Sequence, residues 1–276
     1  MNVVRRYPIW AFVILAYAVS WSLVPMGDFL PFGPLVAALI VVPVTQGRAG
    51  LRQWGARLVR WRVGWVWWAA ALALPLGVLA VAVLLNVAAG AEAPSWEQFT
   101  PWYAVIMVAA LRMINPLDGP VGEEPGFRGF AQPQLQTTRT PLIATLILAV
   151  IVAGWHAPLL FVDGMRPVEL LSTVAVTFWY AWLFNHTGES VLITIVSHAA
   201  QGSIEHSDLW SAGADASRLE YLYAAVASAT VAGLLYFDWE FWQSRDSRRH
   251  GQPEPTRSQR SAPEPPPNTT TTSSPG

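Results

Sequence analysis

PLIATLILAVIVAGWHAPLLFV, residues 141–162, is a run of 22 residues without Asp, Glu, Arg or Lys. An α-helix rises 1.5 Å per residue, so about 20 apolar residues cross the roughly 30 Å hydrocarbon core of a bilayer. A soluble core does not need apolar blocks of this length. The stretch therefore predicts a transmembrane helix.

The composition of the whole chain also indicates a membrane protein. Of its 276 residues, 53% are apolar and 13% are charged, whereas a soluble domain carries about a quarter charged residues. We expect an all-α, polytopic transmembrane bundle of about eight spans. Besides residues 141–162, the predicted spans are 8–25, 29–45, 64–88, 101–117, 168–185, 190–205 and 219–240.

The end of the chain has a different composition. Residues 244–276 lack apolar side chains to bury and are rich in Pro, Ser and Thr, which predicts disorder. The chain therefore divides into a transmembrane domain, residues 1–243, and a disordered cytoplasmic tail, residues 244–276.

Two features exclude classes of function. The absence of cysteine excludes disulfides, thiolate nucleophiles and cysteine-ligated zinc. The net charge of −1 gives no indication of a nucleic-acid partner. The partners to expect are the lipid bilayer and a membrane-associated protein or peptide.

The arginines predict the orientation. All 17 basic residues are arginines, and with the N-terminus inside, all except Arg112, Arg166 and Arg218 fall on the cytoplasmic side, as the positive-inside rule requires. Both termini are therefore expected in the cytoplasm. The absence of lysine, together with the Ala, Pro and Gly content, suggests a high-GC bacterial source and hence an inner membrane.

A basic stretch, residues 48–62, follows the second predicted span. Leu51, Trp54, Leu58 and Trp61 fall on one helical face, and arginines occupy the rest of the surface. This pattern predicts an amphipathic helix that lies on anionic lipid headgroups.

The first stretch with residues for chemistry is GPVGEEPGFRGF, residues 119–130. Glu123 and Glu124 follow a Gly- and Pro-rich break and open a helix. On that helix Glu124 and Arg128 stand at i and i+4 and can bond to each other, while Glu123 points about 100° away. The alternative is an acidic helix N-terminus that the helix dipole stabilises.

Two intramembrane histidines complete the set. His156 lies inside the fifth predicted span and His198 among small residues of the seventh. Each could be a hydrogen-bonded packing residue, but ionisable residues inside a membrane are functional candidates. A glutamate with one histidine can hold and deprotonate a water, and a second histidine can stabilise an oxyanion. Together they suit the hydrolysis of an amide or ester.

These motifs resemble those of the CPBP family, which comprises the type II CAAX prenyl proteases and the bacterial Abi proteins. The family carries Glu-Glu-x-x-x-Arg, Phe-x-x-x-His and His-x-x-x-Asn on successive helices. Glu123-Glu124-x-x-x-Arg128 matches the first motif, and the other two match at His156 and His198.

The resemblance implies an intramembrane endopeptidase, with roles in bacteriocin self-immunity or peptide maturation among bacterial relatives. It implies Glu123 as the general base on the attacking water, His156 as its partner and His198 as an oxyanion donor. Glu124 and Arg128 would support them.

The sequence departs from the family at two positions within the similar region, about residues 48–205. Val152 stands where the family has Phe, and Gly202 where it has Asn. The missing Asn removes one expected oxyanion donor, for which Gln201 is a candidate substitute. A catalytically impaired membrane scaffold, or pseudoprotease, is therefore an alternative, as is a transporter or proton relay, although no inverted repeat supports the latter.

A metal is the remaining question. Family members are often classed as metalloproteases, and Glu123, His156 and His198 could bind zinc with a water as the fourth ligand. No His-Glu-x-x-His motif is present. We expect no cofactor and a glutamate-activated water, with zinc as the alternative.

Overall fold

The computed structural model describes residues 2–244. Within them the fold is all-α, without a strand, as predicted. The predicted tail, apart from Ser244, lies outside the described residues. The main helices are α1 (Pro8–Ser20), α2 (Gly33–Leu58), α3 (Trp65–Ala88), α4 (Tyr103–Arg112), α5 (Gly119–Gly126), α6 (Pro141–His156), α7 (Pro167–His186), α8 (Val191–Gln201) and α9 (Gly213–Phe237).

Shorter helical segments extend or connect these helices. They are Asn2–Arg6, Gln132–Gln136, Leu159–Val162, His206–Leu209 and Trp239–Gln243, the 3₁₀ turns Trp21–Met26 and Trp96–Phe99, and the π-helical turn Phe127–Ala131.

Six helices of residues 2–244 are long and apolar enough to cross a bilayer. They are α1 with its 3₁₀ extension, α2, α3, α6 with its following turn, α7 and α9. The other two predicted spans, 101–117 and 190–205, correspond to shorter helices. With 10 and 11 residues, α4 and α8 are about 15 Å and 16 Å long, roughly half the hydrocarbon thickness.

A polar helical run, residues 119–136, follows α4 and crosses the bundle between two predicted spans. α5, the π-helical turn and Gln132–Gln136 follow one another without a break, a length of about 27 Å. Gly119 lies at the same end of the bundle as Asp163. Gln134 lies at the opposite end, where its side chain accepts a hydrogen bond from Gln46 at 3.3 Å.

The span predicted at 101–117 corresponds to the shorter apolar helix α4. Residues 119–136 run between the two ends of the bundle, and Arg128, which had been placed in a cytoplasmic loop, is only 2% exposed inside it. Hydropathy does not detect this run because it carries two glutamates, an arginine and several Gly and Pro residues. Arg112, expected within a span, ends α4 and pairs with Asp118 at 3.3 Å.

Aromatic contacts hold the polar run in place. Phe12 of α1 packs against Phe127 and Phe130, with ring centroids 6.0 Å and 5.3 Å away. Trp155 of α6 meets Phe127 edge to face at 5.6 Å. These rings belong to one of two large apolar cores; the other is built mainly from α3, α7 and α9. The run is thus anchored on one side by apolar packing.

The amphipathic helix predicted for residues 48–62 packs differently from the expectation. Gly47 has φ 65° and breaks α2 there. Trp54 turns inward and is 6% exposed, whereas Leu51 and Trp61 remain exposed. The predicted apolar face is therefore split, because Trp54 contacts protein instead of lipid.

Trp54 and Arg57 support the π-helical turn from α2. Trp54 Nε1 donates to the Pro125 carbonyl at 2.9 Å, and Arg57 Nη1 donates to the Gly129 carbonyl at 3.2 Å. Pro133, four residues after Gly129, has no N–H to offer that carbonyl. Arg57 is itself held by Glu189 at 2.7 Å. Two side chains of α2 thus replace backbone donors that the run lacks.

Two glycines of α5 permit its close approach to the start of α2. A Cβ atom at Gly122 would lie 2.7 Å from the Pro31 oxygen, and one at Gly126 would lie 2.5 Å from the Pro34 carbonyl carbon. Their spacing of four residues places both on one helical face, the pattern by which small residues let membrane helices pack closely.

We expect Gly126→Ala to destabilise the protein by about 1–3 kcal/mol, because the added methyl group overpacks the α5–α2 contact. Gly77→Ala on α3 is the matched control, since nothing lies within 4 Å of a Cβ atom there. Thermal unfolding in detergent measures both variants. Equal unfolding midpoints would contradict the proposed tight contact.

Candidate active site

A cavity of about 440 Å³ lies at the end of the bundle near Asp163. It brings together the three residues that the motifs singled out for chemistry. Glu123, His156 and His198 all line it, although they come from α5, α6 and α8. The bundle therefore brings together three side chains that are far apart in the sequence.

Glu123 lies near the start of α5, which begins after Asp118. The Asp118 side chain accepts a hydrogen bond from the Gly119 N–H at 2.7 Å and caps the helix. Glu123 is 6% exposed and interacts electrostatically with His156 and His198. Its carboxylate is thus a nearly buried group at the wall of a cavity.

Gly119 keeps the space between Glu123 and His198 open. A Cβ atom at this position would lie 2.9 Å from Glu123 Oε1 and 3.1 Å from His198 Nε2. Both atoms therefore face the same space across the glycine. The sequence showed Gly119 only as a helix breaker; its role at the site depends on the position of α8, which no local pattern reveals.

The orientation of His156 is set by its own helix. Its Nδ1 lies 2.9 Å from the Val152 carbonyl oxygen, so Nδ1–H donates and, in the neutral ring, Nε2 has a free lone pair. The partner is a backbone carbonyl. Val152 in place of the family's Phe therefore does not change this hydrogen bond.

Glu124 connects Arg128 to His198. It is fully buried, and its Oε1 accepts from Arg128 Nη1 at 3.1 Å and from His198 Nδ1 at 3.0 Å. The predicted Glu124–Arg128 pair thus forms, and it has a third member. With Nδ1 held by Glu124, His198 directs Nε2 to the Gly119 space.

Tyr180 is a residue of the site region that sequence reasoning missed. Its ring stacks on His198 with centroids 5.3 Å apart, and the Arg128 guanidinium lies 4.9 Å from the ring centre. Its hydroxyl donates to the side-chain oxygen of Gln201. Tyr180 lies in the middle of a predicted span, where an aromatic residue gives no signal beyond hydropathy.

Gln201 is not brought to the cavity. It is absent from the cavity wall, and its side-chain oxygen is engaged by Tyr180. The suggested replacement of the missing Asn by Gln201 is therefore not supported by the geometry.

The residues do not form a metal site as they stand. Glu, His and Asp are suitable zinc ligands by chemistry, but within residues 2–244 no three such side chains lie close enough together to hold a metal ion. We therefore derive no step through a metal.

Comparison with known proteins adds one match. Residues 100–204 match the family model described as type II CAAX prenyl endopeptidase, Rce1-like. The matched range contains all the motif residues from Glu123 to His198. The chain matches no curated protein sequence.

The two adjacent glutamates should respond differently to removal. We expect Glu124→Ala to cost about 3–5 kcal/mol of stability, because it leaves the buried Arg128 without a partner. Glu123→Ala should unfold close to the wild type, since its carboxylate faces the cavity. Thermal unfolding of both variants in detergent provides the measurement, and a reversed order would refute these assignments.

Proposed function

We propose that this chain, whose residues 100–204 match the Rce1-like type II CAAX prenyl endopeptidase model, is an intramembrane protease of the CPBP family that hydrolyses a peptide bond of a membrane-associated protein or peptide with a water activated by Glu123. The observation that supports this most is the cavity that unites Glu123, His156 and His198. The family motifs predicted that these three residues act together. They lie on three separate helices, and only the packing of the bundle brings them to one cavity.

The first step is attack by water. The Glu123 carboxylate and the free Nε2 of His156 hold one water molecule as hydrogen-bond acceptors. Glu123 takes a proton as the water oxygen attacks the peptide carbonyl carbon. The π electrons of the C=O bond move to its oxygen and produce a tetrahedral oxyanion.

His198 faces that oxyanion across Gly119. Because its Nδ1–H donates to Glu124, its Nε2 can donate only when the ring is doubly protonated. Glu124 accepts from this Nδ1–H and Arg128 holds Glu124 in place, so the two residues act by orienting His198.

The second step breaks the peptide bond. The oxyanion collapses, the C=O bond re-forms and the C–N bond electrons leave with the amine. Glu123 returns its proton to that nitrogen, so the products are a carboxylic acid and an amine, and the site is restored. No group is oxidised or reduced.

The orientation of the protein gives the side of cleavage. The exposed Arg48 follows two residues after Gln46, whose side chain contacts Gln134 at the end of the bundle opposite the cavity. If that end faces the cytoplasm of a bacterial cell, as the positive-inside rule predicts, the cavity opens toward the outer side of the inner membrane. Bacteriocin self-immunity or peptide maturation would suit such a site.

The test compares peptide termini in membranes of cells that carry the wild-type protein or Glu123→Ala. We expect new termini that appear only with the wild type, because loss of the base removes water activation. Identical terminus profiles with equal amounts of folded protein would favour the scaffold or pseudoprotease instead.

Formation of the same peptide termini also distinguishes the metal-independent route from the zinc route. Membranes that retain cleavage after treatment with EDTA and dialysis support the metal-independent route. Loss of cleavage that added Zn²⁺ restores would replace it with the zinc route.

Gly119→Ala tests the shared space without removing any polar group. The added methyl group should fill the gap between Glu123 and His198 and reduce cleavage by about 100-fold, as small displacements in an active site do. Gly233→Ala, where nothing lies within 4 Å of a Cβ atom, is the control. Unchanged cleavage by a folded Gly119→Ala protein would show that the substrate carbonyl does not react in the space between Glu123 and His198.

A further inference from the structure

Gly202 makes room for a guanidinium group at the cavity. A Cβ atom at Gly202 would lie 2.5 Å from both Cζ and Nη2 of Arg112 and 2.8 Å from its Nε. No side chain can therefore occupy position 202 while Arg112 holds this place. The guanidinium fills the volume into which a side chain from α8 would otherwise project.

Position 202 lies on the same face of α8 as His198. The Gly202 N–H donates to the His198 carbonyl at 3.2 Å, so residue 202 lies one helical turn after His198 and on the same side. Both His198 and Arg112 line the cavity with Glu123. A group at position 202, or in its place, can thus act on the same bound substrate as His198.

Arg112 has hydrogen-bond donors that protein atoms do not use. Its Nη2 pairs with Asp118 Oδ1 at 3.3 Å, while its Nε is buried and has no hydrogen-bond partner among residues 2–244. A buried donor without a partner costs free energy, so the position of this guanidinium calls for a functional explanation. Among the residues of the cavity wall, Arg112 carries the one guanidinium within the described part of the chain.

We propose that Arg112 is a catalytic residue that donates to the substrate oxyanion from the space left by Gly202. The inference rests on the proposed peptidase function and identifies a further donor for it. At the position where the family carries Asn, this chain has no side chain, and the guanidinium reaches the same volume from α4. The group serves this purpose well because it is permanently charged and has several N–H donors in a planar array.

Asp118 positions this arginine and is not itself a donor to the substrate. One of its oxygens caps α5 through Gly119 and also contacts Arg112. The start of the helix that carries Glu123 and the guanidinium are therefore fixed to the same carboxylate. This links the general base and the proposed oxyanion donor.

The alternative is a purely structural arginine whose only purpose is the pair with Asp118. The two roles differ in what a side chain at position 202 should do. A structural ion pair gives no reason for an amide at position 202 to compensate for the loss of Arg112. An oxyanion donor does, because an asparagine amide there can donate from the volume that the guanidinium vacates.

The experiment is a double-mutant cycle of wild type, Arg112→Ala, Gly202→Asn and the double variant. The readout is the rate at which membrane vesicles produce the Glu123-dependent peptide termini, normalised to folded protein. We expect Arg112→Ala to lower the rate by about 10²–10³-fold, as loss of one oxyanion donor does. Gly202→Asn alone should lower it less, because the amide that displaces the guanidinium is itself a donor.

The double variant decides between the roles. We expect it to be at least about tenfold faster than Arg112→Ala, since the substitution Gly202→Asn fills the vacated space with an amide donor. A double variant no faster than Arg112→Ala would overturn the proposal, as would an Arg112→Ala protein with unchanged rate. Arg166→Ala, which removes another arginine–carboxylate pair outside the cavity wall, is the control and should keep the wild-type rate.

The outcomes also separate this proposal from the function on which it rests. If wild-type vesicles yield no termini that depend on Glu123, the peptidase function fails and the oxyanion donor fails with it. If those termini appear and Arg112→Ala does not slow them, only the role of Arg112 is refuted.

Discussion

The site depends on one buried oxygen, Oε1 of Glu124, which accepts hydrogen bonds from both Arg128 and His198. A carboxylate with no exposure to solvent needs compensating charge and donors, and breaking such a group by removing one member is strongly destabilising. The three residues meet because α5 and α8 pack side by side. Tyr180 closes the group from α7, with its ring against both the guanidinium and the imidazole. The same hydrogen bonds therefore connect α5 to α8 and orient His198 at the cavity.

The polar run from Gly119 to Gln136 shows how a membrane bundle accommodates such a group. Its prolines remove backbone donors and its glycines remove side chains, both of which weaken an isolated helix. In the bundle, Trp54 and Arg57 donate to its carbonyls and the glycines allow contact with α2. π-helical turns are common at functional sites, and here the turn carries Arg128 toward Glu124.

Much of this could be predicted from the sequence, and the rest could not for definite reasons. The long uncharged blocks predicted the helical bundle, and the spacing of Glu124 and Arg128 predicted their pair. The crossing by the polar run Gly119–Gln136 was not predicted, because hydropathy counts the charges of Glu124 and Arg128 separately. In the fold the two charges neutralise each other. The contacts of Gly119 and Tyr180 depend on which helices become neighbours, so no periodicity within one helix could show them.

The steric fit between Gly202 and Arg112 constrains how this sequence can change over generations. Any residue larger than glycine at position 202 displaces the far end of the Arg112 side chain, so the proposed oxyanion role couples a change there to a change at position 112. The two positions are expected to drift as a linked pair, although 90 residues separate them. With Arg112 in the proposed role, a search that requires asparagine at position 202 would place such a lineage among inactive relatives, because it would not consider position 112.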